Sequence, residues 1–274
     1  LGSYIVKFSP NSTNLEVFYV AIINTFVCAG VGIILSTILG LLIGIARLST
    51  NYLISRLANA YIELFRNIPI LLQILFWYNI FLNALPQPKK SISFLDFIFI
   101  NNRGFYLPNP IPQDGFIWAI IAFIVGIGSA IYLKRHFKRK QDETGQQTNT
   151  IGYSLALILL FPIVVFLLLG SPLQLDYAIL GKFNLKGGLA IVPEFVALTL
   201  ALSVYTATYI AEAIRSGIEA VDKGQKEAAA AIGLTPIQSL KLVVLPQALR
   251  VAIPPTINQY LNLTKNSSLA AAIG

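Results

Sequence analysis

Thirty consecutive residues, Val17 to Ala46, carry no charged side chain. About twenty are enough to cross the hydrocarbon core of a bilayer as a helix, and within that core every backbone N–H and C=O must find its partner inside the segment. A stretch of this kind is therefore read as a membrane-spanning helix. Further apolar segments follow near 58–85, 116–133, 151–169 and 193–214, and an interrupted one covers 251–274. The expected fold class is an all-α integral membrane protein with about six membrane-spanning segments. Charged residues make up only 12% of the chain, about half the share of a soluble domain.

Several function classes are excluded at this level. One cysteine, Cys28, and one histidine, His136, cannot supply a disulfide framework or a Cys/His metal site. No Gly-x-x-x-x-Gly-Lys-Ser/Thr occurs. Gly181-Lys182 lacks both the upstream glycine and the following hydroxyl, so this chain builds no phosphate loop for ATP. His136 has no neighbouring acid or nucleophile, and an enzymatic reading is poor. The net charge of +8 does not point to nucleic acid, because the basic residues are divided among the links between apolar segments. Links 47–58, 134–150 and 215–250 hold twelve Lys and Arg, against six in 1–16, 86–115 and 171–192. The positive-inside rule puts the first set in the cytoplasm. Lys134 to Lys140 then reads as a solvated cytoplasmic flank that holds the topology, in preference to lipid-specific binding. The polar, proline-rich loop Pro86–Gly115 and the loop Gly170–Val192 fall outside. No cleavable secretory signal is evident. The chain ends at Gly274 inside an apolar segment, so it is expected to be truncated at the C-terminus.

Few polar groups lie in or near the spans. Glu63 and Arg66, and likewise Glu212 and Arg215, are three apart and so can meet on one helix face, either as interfacial anchors or as support for a cytoplasmic gate. Thr199, Ser203, Thr206 and Tyr209 share one side of the fifth span. They read either as helix–helix contacts or as the lining of a path for a polar solute. Asn258 and Asn262, with Lys265, form a second candidate lining. Gly40-x-x-x-Gly44 is a spacing that lets helices approach closely in lipid.

Between the fifth and last segments lies Glu227–Pro246, EAAAAIGLTPIQSLKLVVLP. Glu227 to Ala231 is a run of strong helix formers, and Gly233 can close a helix in the left-handed conformation. Thr235-Pro236-x-Gln238 opens a second helix with a capping box. Pro246 is expected to end it. Neither helix is long enough to cross a bilayer, so the stretch predicts two short helices on the cytoplasmic face.

This stretch resembles the EAA motif of ABC importer permeases, EAA-x3-G-x9-I-x-LP. Here it reads Glu227-Ala228-Ala229, three residues, Gly233, nine residues, Val243, one residue, Leu245-Pro246, with only the Ile position changed. Glu63-Leu-Phe-Arg66-Asn67-Ile-Pro69 with Gln73, Ala197 to Ser203 followed by Tyr209-Ile-Ala-Glu212, and Leu245-Pro-Gln-Ala-Leu-Arg250 with Pro254-Pro255 are similar to the polar amino acid permeases of that superfamily. The resemblance covers 17–85 and 193–274 as a family core in a single transmembrane permease domain. Residues 86–192 form an insertion with two extra spans and external loops. It implies a multi-pass subunit of a bacterial inner membrane that forms the translocation path of an ATP-driven, binding-protein-dependent importer of polar L-amino acids. It also implies a second permease subunit, two cytoplasmic ATPase subunits docked on Glu227, Ala228, Ala229, Gly233, Leu245 and Pro246, and a periplasmic amino-acid-binding protein. No cofactor belongs to this chain; ATP and Mg2+ sit at the partner ATPases. A membrane scaffold whose cytoplasmic helices bind a non-ATPase partner is the alternative, and a passive channel is a third reading.

Overall fold

The computed structural model describes residues 13–145, 150–181 and 184–272. The outward placement of the first twelve residues, part of the 134–150 link, Lys182 and the chain end at 273–274 lie outside the described residues. Five helices are long and apolar enough to span a membrane, and a bent helix pair makes a possible sixth. The expected all-α membrane class therefore holds. The chain divides into two compact units, Leu107–Ile179 with Lys186–Gly188 forming the second and the remainder the first.

The first unit is organised around α7 (Pro193–Glu219). Ala197, Ala201, Leu202, Ala207, Ile210 and Ala211 of this helix are almost wholly buried. Against it packs α1 (Asn14–Arg47), opened by a reciprocal capping box between Thr13 and Glu16. The buried positions of α1 recur every fourth residue: Asn24, Cys28, Gly32, Ser36, Gly40 and Gly44. This is the Gly40/Gly44 spacing extended over five turns, and it brings the two backbones close. A Cβ on Gly40 would stand 2.6 Å from Ile210 Cγ2, and one on Gly44 would stand 3.0 Å from the Ala211 carbonyl.

Residues 58–85 do not form the straight span expected from hydropathy. They lie within α2 (Tyr52–Asn67) and α3 (Ile70–Asn83) and the turn after them, and the two helices meet at 102°. Pro69 forces its predecessor out of the helical region, and Ile68 sits at φ −92°, ψ 124°. The helix end is then satisfied from within: Gln73 Nε2 donates to the carbonyls of Phe65 at 2.8 Å and Ile68 at 2.9 Å. Gln73 thus completes the bend from one turn inside α3.

After α7 come α8 (Lys223–Ala231), the single turn α9 (Pro236–Ser239) and α10 (Leu245–Asn266). Here Pro246 does not stop a helix. A π turn over Leu240–Val244 joins α9 to α10, with the Leu245 N–H bonded five residues back to the Leu240 carbonyl. That wider turn shifts the hydrogen-bond register just where Pro246 has no N–H to offer, so the chain continues as one helical rod. Pro254 and Pro255 are likewise carried inside α10.

The loop Pro86–Gly115 is not structureless. Strands β1 (Ile92–Phe94), β2 (Ile98–Asn101) and β3 (Gly104–Leu107) form an antiparallel meander, and the strand Leu189–Ile191 adds beside β3. In the second unit β4 (Asn109–Pro112) pairs with β5 (Leu173–Asp176) in a two-stranded ribbon. Between them run α4 (Phe116–Thr144), α5 (Thr150–Leu155) and α6 (Phe161–Leu168), the last two joined by a π turn at Ala156–Leu160 ahead of Pro162. The helix α4 does not end at Leu133. It continues through Lys134–Lys140 and closes at Gly145, φ 71°. The Leu157 carbonyl approaches Gly126 of α4 so closely that a Cβ there would stand 2.3 Å away.

Candidate functional site

The helix α8 begins at Asp222, whose carboxylate accepts from the Gly224 N–H at 2.6 Å. Its end is a Schellman closure. Leu234 N–H reaches the Ala229 carbonyl and Gly233 N–H the Ala230 carbonyl, with Gly233 at φ 81°. A Cβ on Gly233 would meet nothing within 4 Å, so the backbone conformation alone calls for glycine there. Thr235 and Gln238 then form the expected capping box. Ala229 faces inward, 3% exposed, while Glu227, Ala228, Gly233 and Pro246 face out and Leu245 is half-buried. The base of the element rests on a small core of Val221, Val244 and Ala248 with Ile218 beside it. The element exposes Ile232 at 77% and Ile237 at 75%, and Glu227 is exposed as well. A rigid, capped turn that displays two isoleucines and a carboxylate is suited to docking into a groove on another protein.

At the end of α7 that leads into this element, four charged side chains meet. Glu212 accepts from Arg215 Nε at 3.1 Å and from its Nη2 at 2.6 Å. Arg47 at the end of α1 bonds the other Glu212 oxygen, and Glu219 takes the free Nη1 of Arg215. The sequence paired Glu212 with Arg215 but missed Arg47 and Glu219. Arg215 and Glu219 stand at the i,i+4 spacing, a signal that was there to read. Arg47 comes from 165 residues away and no spacing rule reaches it.

Glu63 and Arg66 do not pair, contrary to the expectation from their spacing: among the described residues no ion pair joins them. Arg66 lies over the ring of Tyr209 instead, 4.9 Å from its centroid, and the Tyr209 hydroxyl meets that of Tyr205 at 2.8 Å. A neighbouring helix offered the guanidinium an aromatic face, and that contact replaced the local one.

The polar stripe of α7 divides. Thr199 and Ser203 are buried in the seam with α1. Ser203 Oγ donates to the Thr199 carbonyl at 2.6 Å and lies 3.4 Å from the Gly32 carbonyl, and Thr199 Oγ1 contacts Cys28 Sγ at 3.5 Å. Thr206 is buried on the same helix, whereas Tyr209 is half-buried. Asn258 and Asn262 are exposed one turn apart on α10. No group of His, Cys, Asp and Glu able to hold a metal ion occurs among the described residues.

Residues 122–274 match the family described as binding-protein-dependent transport system inner membrane component. The general L-amino acid transport system permease protein AapQ of Rhizobium johnstonii is 49% identical over 274 residues, which is 100% of this chain and 68% of that protein. The putative amino-acid ABC transporter permease protein YhdX of Escherichia coli is 46% identical over 271 residues, 99% of this chain and 69% of the relative. A glutamate/glutamine/aspartate/asparagine transport system permease protein, BztB of Rhodobacter capsulatus, is 39% identical over 260 residues and covers 84% of this chain and 61% of its own length. The chain belongs to the binding-protein-dependent inner membrane component family of ABC transporters. It is a multi-pass protein of the inner membrane and a permease subunit, a class of transport component rather than of enzyme.

Proposed function

We propose that this chain is the membrane-spanning subunit of an ATP-driven importer of polar L-amino acids, fed by a periplasmic binding protein. The observation that carries the reading is the capped α8–Gly233–α9 element, with its motif spacing, exposed Glu227 and exposed Ile232 and Ile237. Two cytoplasmic ATPase subunits dock there, one on each copy of a permease pair, and hold the ATP and Mg2+ that this chain has no loop to bind. Ala228 and Ala229 keep α8 slim. Gly233 sets the reversal, and Leu245-Pro246 with the π turn before it joins the docked element to α10. Movement of the ATPases is passed on through α10, and through α7 by way of the Arg47–Glu212–Arg215–Glu219 cluster, which ties α1 to α7 beside the gate. Glu63 and Arg66 flank that gate from α2. The solute path runs past Tyr209, Asn258 and Asn262, while Thr199, Ser203 and Thr206 hold α7 against its neighbours. Residues 86–192 act as an insertion on the family core.

The test is reconstitution with the partner ATPase, a second permease and the binding protein in liposomes. Labelled polar amino acids should accumulate only when ATP and the binding protein are both supplied. Accumulation without nucleotide would sink the proposal in favour of a passive channel.

A further inference from the structure

Lys134 and Lys138 stand one helical turn apart, on the same face, and both line a recess of about 270 Å³ whose wall is completed by Phe137, Gln141, Asp142 and Thr150. Thr150 begins α5, so the recess lies between the last turns of α4 and the first turn of α5. Above it, on the membrane side, both helices show apolar side chains outward: Ile124 and Ile131 on α4, Ile151 and Leu155 on α5. Tyr132, strongly exposed, stacks on His136 at 6.3 Å between ring centroids, an aromatic pair where apolar helix gives way to charged helix.

We propose that this recess binds the headgroup of an anionic phospholipid. The two ammonium groups face the phosphodiester, and the Gln141 amide and Thr150 hydroxyl supply neutral donors. The acyl chains lie along the outward apolar sides of α4 and α5, which continue from the recess without a polar break. Asp142 shares the lining and offsets one of the two charges there. Arg135, Arg139 and Lys140 on the same helix add to the positive field without lining the recess. A cationic recess between two lipid-facing helices on the cytoplasmic side is the arrangement that selects anionic headgroups. The apolar continuation favours a lipid over a free phosphate.

The test uses the full chain in phosphatidylcholine nanodiscs with a small fraction of spin-labelled phosphatidylglycerol or, separately, spin-labelled phosphatidylcholine. The unaltered chain should immobilise phosphatidylglycerol in excess. Lys134→Gln with Lys138→Gln should reduce that excess at least about fivefold, the effect of roughly one surface charge. Arg135→Gln with Arg139→Gln, which removes the same charge from the neighbouring face, should leave most of it. Equal loss in both double variants would mean a diffuse charged flank and overturn the site, as would no phosphatidylglycerol excess in the unaltered chain. Displacement of the labelled lipid by millimolar inorganic phosphate would overturn the lipid assignment in favour of a soluble phosphate. A matching helical circular dichroism spectrum and elution volume establish that each variant is folded before it is compared.

Discussion

Gly40→Val should lower the melting midpoint of the purified protein by roughly 5–10 °C, while Gly30→Val should leave it nearly unchanged. The two glycines lie on the same helix and differ in what surrounds them. A Cβ on Gly40 would stand 2.6 Å from Ile210 Cγ2 and 3.1 Å from the Ala207 carbonyl, and one on Gly30 would meet nothing within 4 Å. Ile210 is itself fully buried, and the carbonyl belongs to a helix, so neither neighbour can step aside. The added methyls must push α1 off α7. In lipid the helices gain little from the hydrophobic effect and depend on close packing, so a lost seam is not recovered elsewhere. Over-packing of this kind costs about 1–3 kcal/mol. Thermal unfolding in detergent, followed by size-exclusion, reads the difference directly. Equal shifts for the two variants would mean that the α1–α7 approach is not a principal support of the fold.

The second large effect is expected at Glu212. Glu212→Gln removes the one carboxylate that both Arg47 and Arg215 use, and leaves two guanidinium groups side by side. The cluster is about one quarter exposed at Arg47, Arg215 and Glu212, so water recovers part of the loss. A cost of about 1.5–3 kcal/mol remains for charged hydrogen bonds removed on one side only. Because Arg47 is on α1 and Glu212 on α7, the double variant Arg47→Gln/Glu212→Gln should lose less than the sum of the two single variants, by 0.5 kcal/mol or more in roughly the range found for contacting charges. Glu63→Gln is the contrast. Glu63 is exposed and among the described residues joins no ion pair, and its replacement should change stability by less than about 0.5 kcal/mol. A large effect at Glu63 would restore the pairing with Arg66 that the spacing suggested.

The sequence was readable where local rules decide the structure. The spans could be located because lipid leaves a backbone almost no choice, and a run such as Val17–Ala46 answers to that alone. The α8–Gly233–α9 element could be read residue by residue, because capping and left-handed glycine are local chemistry. Local chemistry also contained the bend at Ile68-Pro69, but the unbroken hydropathy on both sides hid it. Pro246 misled in the opposite sense. A proline that normally stops a helix was accommodated by a π turn, a register shift that no side-chain pattern announces. In the 86–115 loop, β4 was hidden by its prolines. Pro110 and Pro112 argue against a strand, and β4 escapes that argument by pairing along one side only.

The candidate lining of a solute path was the least legible part. Periodicity placed Thr199, Ser203 and Thr206 on one side of a helix, but it is silent on whether that side meets solvent or another helix. The structure puts Thr199 and Ser203 against α1, a long-range contact invisible in spacing. Arg47 reaching Glu212 and Arg66 reaching Tyr209 belong to the same kind. Each is decided by which helices become neighbours.

In the proposed importer the element from Glu227 to Pro246 transmits ATP hydrolysis to the spans, and Gly233 isolates that role. A Cβ there meets nothing within 4 Å, so valine acts chiefly through the backbone, which must leave φ 81° or bear about 1–2 kcal/mol of strain. The decisive measurement is the number of amino acid molecules imported per ATP hydrolysed by the Gly233→Val importer in liposomes. The expected result is ATP hydrolysis near the unaltered rate with uptake reduced several-fold. An unchanged ratio of uptake to hydrolysis, with the variant assembled and folded, would show that the element does not couple the two.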